Sequence, residues 1–326
     1  MKTTINSLNV FLLALTFGAL INQAQAQAFP ARPIRVISPN PSGSGPDVEA
    51  RQLTQLMSTD LGVPIVVENR PGGAQLLGME IVAKSTPDGY TLGAGTIGNL
   101  AAHPRLFDRP SYDVERDLAP LSLSIKHPWL LYVNASVPAQ TFQQFVALAK
   151  AKPESITYVS NGVGTFMHLT TTLLQTTTGI QLRHIPYGAQ PMLPDLLGGH
   201  VNAMMFPLVT IVDHVRSGKL RALAISNGKE RSPQVPDVPL FSEVGLAQYD
   251  PHAWAGLVAR AGTPAPVIEK LAKAAARAAQ TTQYREFAAR NGATAIGSTP
   301  AEFDVFLKTE RARWKKVITD NGIKLD

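Results

Sequence analysis

The sequence of 326 residues contains no cysteine, so disulfide bonds and thiolate chemistry are excluded. Its 30 Lys and Arg outnumber the 24 Asp and Glu, but these basic residues are spread along the chain. No block of Lys and Arg typical of nucleic-acid or anionic-membrane binding is present. We therefore expect neither a nucleic-acid partner nor a disulfide-stabilised fold.

Sequence motifs for hydrolytic and metal chemistry are also missing. No G-x-S-x-G occurs, and Ser42-Gly43-Ser44-Gly45 has the wrong spacing for a nucleophile elbow. The 7 histidines are scattered without an H-x-x-x-H pair, which predicts no metal site. The sequence thus favours a protein without catalytic activity, and an exported enzyme acting on small organic acids remains the alternative.

The first 26 residues have the three parts of a secretory signal peptide. Lys2 provides the positive start, residues 10–15 form an apolar run, and Ala24-Gln25-Ala26 fits the small-x-small cleavage pattern. No later segment reaches the ~18 uninterrupted apolar residues of a membrane span. We therefore expect export to a bacterial periplasm, which the lack of disulfides favours, and no membrane span in the mature chain.

Strand and helix patterns alternate along the remaining chain, which predicts an α/β fold. In a first series, periodicity predicts strands at 34–37, 65–67 and 90–92 and helices at 47–61 and 73–85. After a Pro-rich connection comes a second series, with strands at 130–133, 156–159, 182–185, 201–206 and 220–225 and helices at 141–152, 165–177, 192–197 and 208–216. The chain ends with a strand at 254–259 and two helices that begin at Thr263-Pro264 and Thr299-Pro300.

The two series predict a parallel sheet covered by helices and divided into two lobes with a cleft between them. We expect one lobe to contain residues 29–127 and 252–326, and the other to contain residues 128–251. Because ligands of open α/β sheets bind beyond the C-terminal ends of the strands, the loops at those ends are the candidates for a site.

The loop that follows the first strand has the composition of an anion cradle. Its glycines let the backbone approach a ligand closely, and the N–H groups at the start of the next helix can hold a carboxylate. The alternative is an ordinary strand-to-helix turn rich in small residues. The candidate contacts are Pro41, Ser42, Gly43, Ser44 and Asp47.

A second loop of the same kind follows the strand at 156–159. Two such loops, one in each series, favour an anion site in the cleft more strongly than one loop does. His168 lies one helical turn further on and is placed to point into the cleft. The loop's candidate contacts are Ser160, Asn161, Gly162, Val163, Gly164 and Thr165.

Residues 93–98 match G-x-G-x-x-G, but a dinucleotide site also needs a long helix and an acid at the end of the next strand. Pro104 cuts the helix short, so we expect no dinucleotide and no other cofactor. The segment is better explained as a third loop lining the cleft, with Thr96 and Asn99 as candidate contacts. Tyr187 and Trp254 fit either the cleft or the core.

Several short motifs, in a fixed order, resemble one protein family over essentially the whole mature chain. They are FPARPIR at 29–35, VVENRPG at 66–72, PDGYTL at 87–92, YVSNGVGT at 158–165, HIPY at 184–187, DLLGGH at 195–200, PDVP at 236–239, WAGL at 254–257 and GTP at 262–264. In these motifs the chain resembles the periplasmic solute receptors of tripartite tricarboxylate transporters, the Bug family.

The resemblance implies a two-lobed periplasmic-binding-protein fold of type II, the Venus flytrap, without catalysis. It implies a small carboxylate ligand held by residues 41–47 and 160–165, partly through water, with His168 and Tyr187 nearby. It also implies a monomeric receptor that delivers its ligand to the membrane subunits of a transporter. Some relatives serve as ligand-sensing partners of a sensor kinase, which is a further alternative.

Three positions depart from the family pattern. Gly43-Ser44 replaces two adjacent glycines, Gly188 directly follows Tyr187 where Lys or Arg is usual, and Pro207 replaces an Asp. The loss of that acid predicts that amino acids are poor ligands. An aromatic carboxylate is favoured if a set of apolar side chains lines the pocket instead of the core: Phe166, Met167, Met204, Met205 and Phe206.

Overall fold

The computed structural model describes residues 29–107, 111–188, 190–208 and 211–325; the predicted signal peptide lies outside this part of the chain. The strands are β1 Ile34–Ser38, β2 Ile65–Asn69, β3 Thr91–Thr96, β4 Leu118–Asn134, β5 Thr157–Ser160, β6 Arg183–Pro186, β7 Ala203–Pro207, β8 Leu220–Ser226, β9 His252–Arg260 and β10 Thr294–Ala295. The helices are α1 Gly45–Leu61, α2 Leu76–Ala83, α3 Val114–Asp117, α4 Phe142–Ala151, α5 Phe166–Thr178, α6 Leu193–Gly198, α7 Val212–Arg216, α8 Ala265–Gln280, α9 Thr282–Arg290 and α10 Pro300–Asp320.

The strands follow the order β2-β1-β3-β9-β4-β7-β5-β6, with β8 and β10 also paired to β4. β1 is parallel to β2 and β3, and β5 is parallel to β6 and β7. β4 and β9 run antiparallel to their neighbours. The α/β class is as predicted, but the sheet is mixed instead of purely parallel.

The long strand β4 is shared by both halves of the sheet. Leu118 to Pro128 pairs with β9, and Trp129 to Asn134 pairs with β7 and β8. The sequence predicted only the end of this strand and a Pro-rich connection before it, which is wrong. β4 tolerates Pro120 because its register with β9 shifts next to that residue, where a missing N–H breaks no regular ladder.

Two predicted helix starts differ in detail. The helix expected at 73–85 begins at Leu76, because a short turn at Gly73–Gln75 ends with Gln75 in the left-handed region at φ 72°. At α8 the N-cap is Pro264, and the Thr263 hydroxyl donates to the Arg260 carbonyl.

The sequence also predicts N-caps at Thr141, from the pattern Thr-x-x-Gln, and at Thr299, followed by Pro300 and Glu302, and both caps are present. Thr141 caps α4 by accepting the Gln144 N–H, and Thr299 and Glu302 form a reciprocal capping box at α10.

The buried apolar side chains form three clusters. One contains only residues from 129 to 249, and the other two draw on residues 34–125 and 254–323. The exception is Leu169 of α5, which packs in a cluster with Trp314 and Val317 of α10. Leu169 thereby joins α5 to α10, and these two helices pack on each other.

Helix α10 is anchored by a buried carboxylate. Glu310 is 2% exposed, and its Oε2 accepts hydrogen bonds from the indole Nε1 of Trp254 at 3.0 Å and of Trp314 at 3.1 Å. Its Oε1 pairs with Arg313 at 2.8 Å. Because a buried charge is costly without partners, all three donors stabilise Glu310, and the one from Trp254 fixes α10 against β9. No helix in the described ranges is long and apolar enough to cross a bilayer.

The packing around Gly256, in the middle of β9, gives a stability prediction. A methyl group on Gly256 would lie 2.6 Å from the Ser122 carbonyl oxygen and 2.7 Å from the Phe303 ring. Such overpacking costs ~1–3 kcal/mol, so we expect Gly256→Ala to lower the free energy of unfolding by that amount in urea titrations. Gly45→Ala is the control, because its new methyl would meet only Glu49 Oε1 at 3.9 Å. Equal stability of the two variants would contradict this packing.

Candidate functional site

A cleft of about 720 Å³ lies where the starts of α1 and α5 approach the junction of β4, β7 and β9. We call it the central cleft; its volume is in the range of small-molecule sites. One part of its wall is formed by Gly45, Pro46, Val48, Glu49, Gln75, Thr96, Ile97, Gly98, His103, His127, Ala253, Trp254, Phe287 and Asn291. The rest of the wall is formed by Trp129, Asn161, Thr165, Phe166, Phe206 and Pro207.

The first predicted loop is held together by Asp47, which is 1% exposed. Its carboxylate accepts hydrogen bonds from the Gly43 N–H at 2.9 Å, Arg51 Nε at 3.0 Å and Asn69 Nδ2 at 2.6 Å. Burial alone would raise the pKa of Asp47, but these hydrogen bonds together lower it. Asp47 therefore shapes the loop from inside, and no part of it reaches the central cleft.

The start of α1 stands at the cleft without a cap. Ser44 makes no side-chain cap, because its hydroxyl donates to the Pro41 carbonyl instead. The first-turn N–H groups that remain, at Gly45 and Asp47, have no acceptor in the described part of the chain. Pro41, Ser42 and Gly43 are exposed and lie outside the cleft wall.

The second predicted loop is braced by Ser160, which is fully buried. The Ser160 hydroxyl accepts the Gly162 N–H at 3.0 Å and lies 2.7 Å from His184 Nε2. Val163 is exposed at the tip, and Gly164 is buried with Leu106 and Leu325 beside it. Only Asn161 and Thr165 of this loop line the central cleft.

The start of α5 is uncapped in the same way. Thr165 has the extended backbone of an N-cap, but its hydroxyl donates to the Gly162 carbonyl at 2.7 Å and caps nothing. The first-turn N–H groups of Phe166, Met167 and His168 are left without an acceptor among the described residues. α5 carries no acidic side chain in its first turn, so no residue of the helix itself neutralises the partial positive charge at its N-terminus.

His168 is directed into the protein and lines no part of the cleft. Its Nδ1 accepts the Gly164 N–H at 3.2 Å, and its ring packs on His184 with centroids 4.5 Å apart. Burial, followed by the neighbouring His184, lowers the pKa of His168 to about 4. The imidazole is therefore neutral near pH 7 and supplies no cation for a ligand.

The third predicted loop is organised by a residue that the sequence analysis missed, Gln75. Its Oε1 accepts from the Thr96 hydroxyl at 3.1 Å, and its Nε2 donates to Asn40 Oδ1 at 2.9 Å. Asn99 is fully buried, and its Oδ1 accepts the Thr96 N–H at 3.0 Å. Thr96 and Gln75 line the cleft, whereas Asn99 positions Thr96 from behind. Gln75 has a left-handed backbone conformation, which is uncommon for a residue other than glycine and occurs often at functional sites. No sequence motif indicates this conformation.

Tyr187 also turns away from the cleft. Its hydroxyl donates to Asp195, and this hydrogen bond raises the pKa of Tyr187 to about 12. Gly188 is exposed, and no Lys or Arg from the described ranges lines the cleft. Pro207, at the end of β7, does line it.

One wall of the cleft is aromatic. The ring of Trp129 lies 4.8 Å from that of Phe166 and 6.1 Å from that of Phe206, measured between centroids. Trp254 belongs to both the wall and the core, being 2% exposed. Of the five apolar side chains considered from the sequence, three are core residues at 3% exposure or less: Met167, Met204 and Met205.

A largely buried hydrogen-bonded pair in the wall, His127 and Glu49, was also missed. His127 Nε2 lies 2.8 Å from Glu49 Oε1, and the two side chains are 13% and 11% exposed. They come from β4 and α1, which are far apart in sequence, so no local motif connects them.

The burial of His168 predicts how stability depends on pH. The folded-state pKa lies below the ordinary value of about 6.5, so the unfolded chain binds this proton first as the pH falls. The stabilisation is complete above pH ~6.5 and is lost toward pH 4. In His168→Asn, whose amide oxygen still accepts the Gly164 N–H, we expect a smaller drop in unfolding free energy between pH 7.5 and pH 5. His200→Asn, at an exposed site, should keep the wild-type drop in urea titrations, and equal drops in all three proteins would refute the assignment.

Comparison with known proteins identifies the family. The family model described as "Tripartite tricarboxylate transporter family receptor" matches residues 49–323. BugT of Bordetella pertussis is 36% identical over 302 residues, which cover 92% of this chain and 92% of BugT. A protein of Pseudomonas sp. strain P51, from the tcbD-tcbE intergenic region, is 31% identical over 311 residues and covers 94% of this chain and 92% of its own.

Solved structures agree with this result. MatC from Rhodopseudomonas palustris with bound malate has a TM-score of 0.74 at 31% identity and covers 89% of this chain and 100% of its own. An R. palustris protein with adipate has a TM-score of 0.77 at 29% identity and covers 91% and 99%. The periplasmic binding protein BugD has a TM-score of 0.73 at 28% identity and covers 91% and 99%. The fold is thus the two-lobed α/β fold of periplasmic binding proteins, and the chain belongs to the tripartite tricarboxylate transporter receptor family, also called the Bug family.

Proposed function

We propose that this protein is a periplasmic receptor that binds a small carboxylate in the central cleft and delivers it to the membrane subunits of a tripartite tricarboxylate transporter. The observation that carries the proposal is that two uncapped helix starts, Gly45 of α1 and Phe166 of α5, open on the same cleft. Free N–H groups at the positive end of a helix bind anions. The malate and adipate in related structures support a carboxylate as the anion.

The two helix starts would belong to different lobes, 29–127 with 252–326 and 128–251. In this proposal β4 and β9 carry the chain between the lobes, and contacts from both lobes to one ligand favour the closed state. The protein would act as a monomer and without catalysis. Asn161, Thr165, Thr96 and the helix starts contact the ligand, while the other predicted site residues shape the loops.

The chemistry of the wall favours an aromatic monocarboxylate over a dicarboxylate. Trp129, Phe166 and Phe206 offer flat apolar surface to a ring. A second carboxylate would find no Lys or Arg in the wall formed by the described residues, and it would stand near Glu49. A charge without a partner is costly to bury, so a ligand with one charge fits better.

A new carboxylate at the start of α5 tests the proposed site. In Thr165→Asp, the Asp side chain is expected to cap α5 and to accept the N–H groups that would otherwise hold the ligand. We expect the Kd of benzoate, measured by calorimetry, to rise at least ~10-fold while the Tm is unchanged or higher. Thr299→Asp makes the same change at the N-cap of α10, away from the cleft, and should bind like the wild type. Unchanged binding in Thr165→Asp would refute the site, and turnover of a bound acid would favour the exported-enzyme alternative.

Truncation of the aromatic wall tests the ligand class. In Phe206→Ala we expect benzoate to bind ~10-fold more weakly, because apolar contact worth ~1.4 kcal/mol is removed. Phe29→Ala is the control, since Phe29 packs edge-on against Tyr90 outside the cleft. Tighter binding of malate or adipate than of benzoate by the wild type would contradict the aromatic assignment without contradicting the receptor function.

A further inference from the structure

We propose that Glu49, held by His127, is a hydrogen-bond-accepting subsite that selects carboxylates bearing a donor, such as a hydroxyl group, at the end remote from the carboxylate. This inference rests on the proposed function and adds the chemistry of the ligand's second end. The starting observation is that Glu49, a buried acid, lines a cleft proposed to bind an anion, where a negative charge would repel the ligand.

The geometry leaves Glu49 with unused acceptor capacity. Its Oε1 lies 2.8 Å from His127 Nε2, and an ionised carboxylate can only accept, so Nε2 carries the proton. No other donor within the described ranges bonds to Glu49, which is 8% exposed and part of the cleft wall. Oε2 is therefore open to a donor from a molecule in the cleft.

Comparison with Asp47, two residues earlier on α1, shows that Glu49 is not needed to hold the loop. Asp47 accepts three hydrogen bonds from the protein and completes the first loop. Glu49 has a single partner and supports no loop. A nearly buried carboxylate with an unfilled acceptor is destabilising, so a further donor from the ligand would satisfy it.

The charges at the two helix starts give the ligand a direction. α1 carries Asp47 in its first turn, and Glu49 Oε1 would lie 3.9 Å from a Cβ on Gly45. α5 carries no acid in its first turn. Since like charges repel, the ligand carboxylate lies nearer to the start of α5 at Phe166 than to the start of α1, and the remote end points to Glu49.

The same arrangement distinguishes a remote donor from an α-ammonium group. An α-ammonium group would lie beside the ligand carboxylate at the start of α5. Pro207, the residue at the nearby end of β7, offers it no acid, and Glu49 is the only Asp or Glu lining the cleft among the described residues. The expectation that α-amino acids are poor ligands therefore agrees with a subsite that reads the far end.

The test compares acids that differ only in this donor. Calorimetry at pH 7 would measure binding of 3- and 4-hydroxybenzoate against 3- and 4-methylbenzoate, and of 4-hydroxybutanoate against pentanoate. We expect at least one hydroxy acid to bind the wild type ~10-fold more tightly than its methyl counterpart, because a charge-assisted hydrogen bond is lost in the latter. The aliphatic pair keeps the test independent of the aromatic wall.

Two variants at Glu49 complete the design. Glu49→Ala should abolish the preference, and Glu49→Gln, with a neutral acceptor, should reduce it to ~3-fold or less while binding unsubstituted benzoate more tightly. Glu269→Gln is the control, because it removes the same charge from the exposed pair with Lys273 on α8. Melting curves and circular dichroism show whether each variant is folded.

The outcomes separate the two proposals. Equal binding of hydroxy and methyl acids by the wild type, or an unchanged preference in folded Glu49 variants, overturns the subsite and leaves the receptor function in place. Failure of every acid in the panel to bind the wild type overturns the carboxylate receptor and the subsite together.

Discussion

The central cleft depends on the backbone N–H groups at the starts of α1 and α5, which have no hydrogen-bond acceptor among the described residues. Ser44 and Thr165 have the backbone of N-caps, yet each donates its hydroxyl to a carbonyl of its own loop. The loops satisfy most of their other polar groups internally, through Asp47 in one and Ser160 in the other. Both loops are therefore pre-formed, and in the proposed function the helix starts are left for a bound anion, so that binding would require little ordering.

The cleft is supported from behind by three long elements, the strands β4 and β9 and the helix α10. β4 pairs with β9 along its first part and with β7 and β8 along its second, so it extends through both halves of the sheet. α10 packs on β4 and reaches α5, where Trp314 contacts Phe166 at a centroid distance of 5.4 Å. A wall residue of the cleft is thereby coupled to the C-terminal helix.

Local signals in the sequence were sufficient for the α/β alternation, the Gly-rich loops and the caps at Thr141 and Thr299. The β4 segment was missed because Pro normally opposes a strand, and only its pairing with β9 shows how the register accommodates Pro120. Gln75, Glu49 and His127 were missed because their roles arise from contacts between distant segments.

Side-chain direction was the least predictable property. His168 was placed near the cleft by its position after the second loop, and Tyr187 by the family resemblance, but tertiary partners turn both away from it. The Gly164 N–H holds His168, and Asp195 holds the Tyr187 hydroxyl. Asn99 was predicted to contact the ligand, but it lies behind Thr96 and does not line the cleft, because its side-chain amide accepts the Thr96 N–H. Spacing thus indicated which loops border the central cleft, but not which of their side chains line it.

The carboxylate of Glu310 has an optical consequence. The chain has 3 tryptophans: Trp129 and Trp254 line the cleft, and Trp314 touches Phe166 of its wall. Two of these indoles donate to the same buried anion, whose field acts on their excited states. A ligand in the central cleft, as proposed, would change the surroundings of Trp129 and Trp254, so the intrinsic fluorescence of this protein would report cleft occupancy with no dye or label.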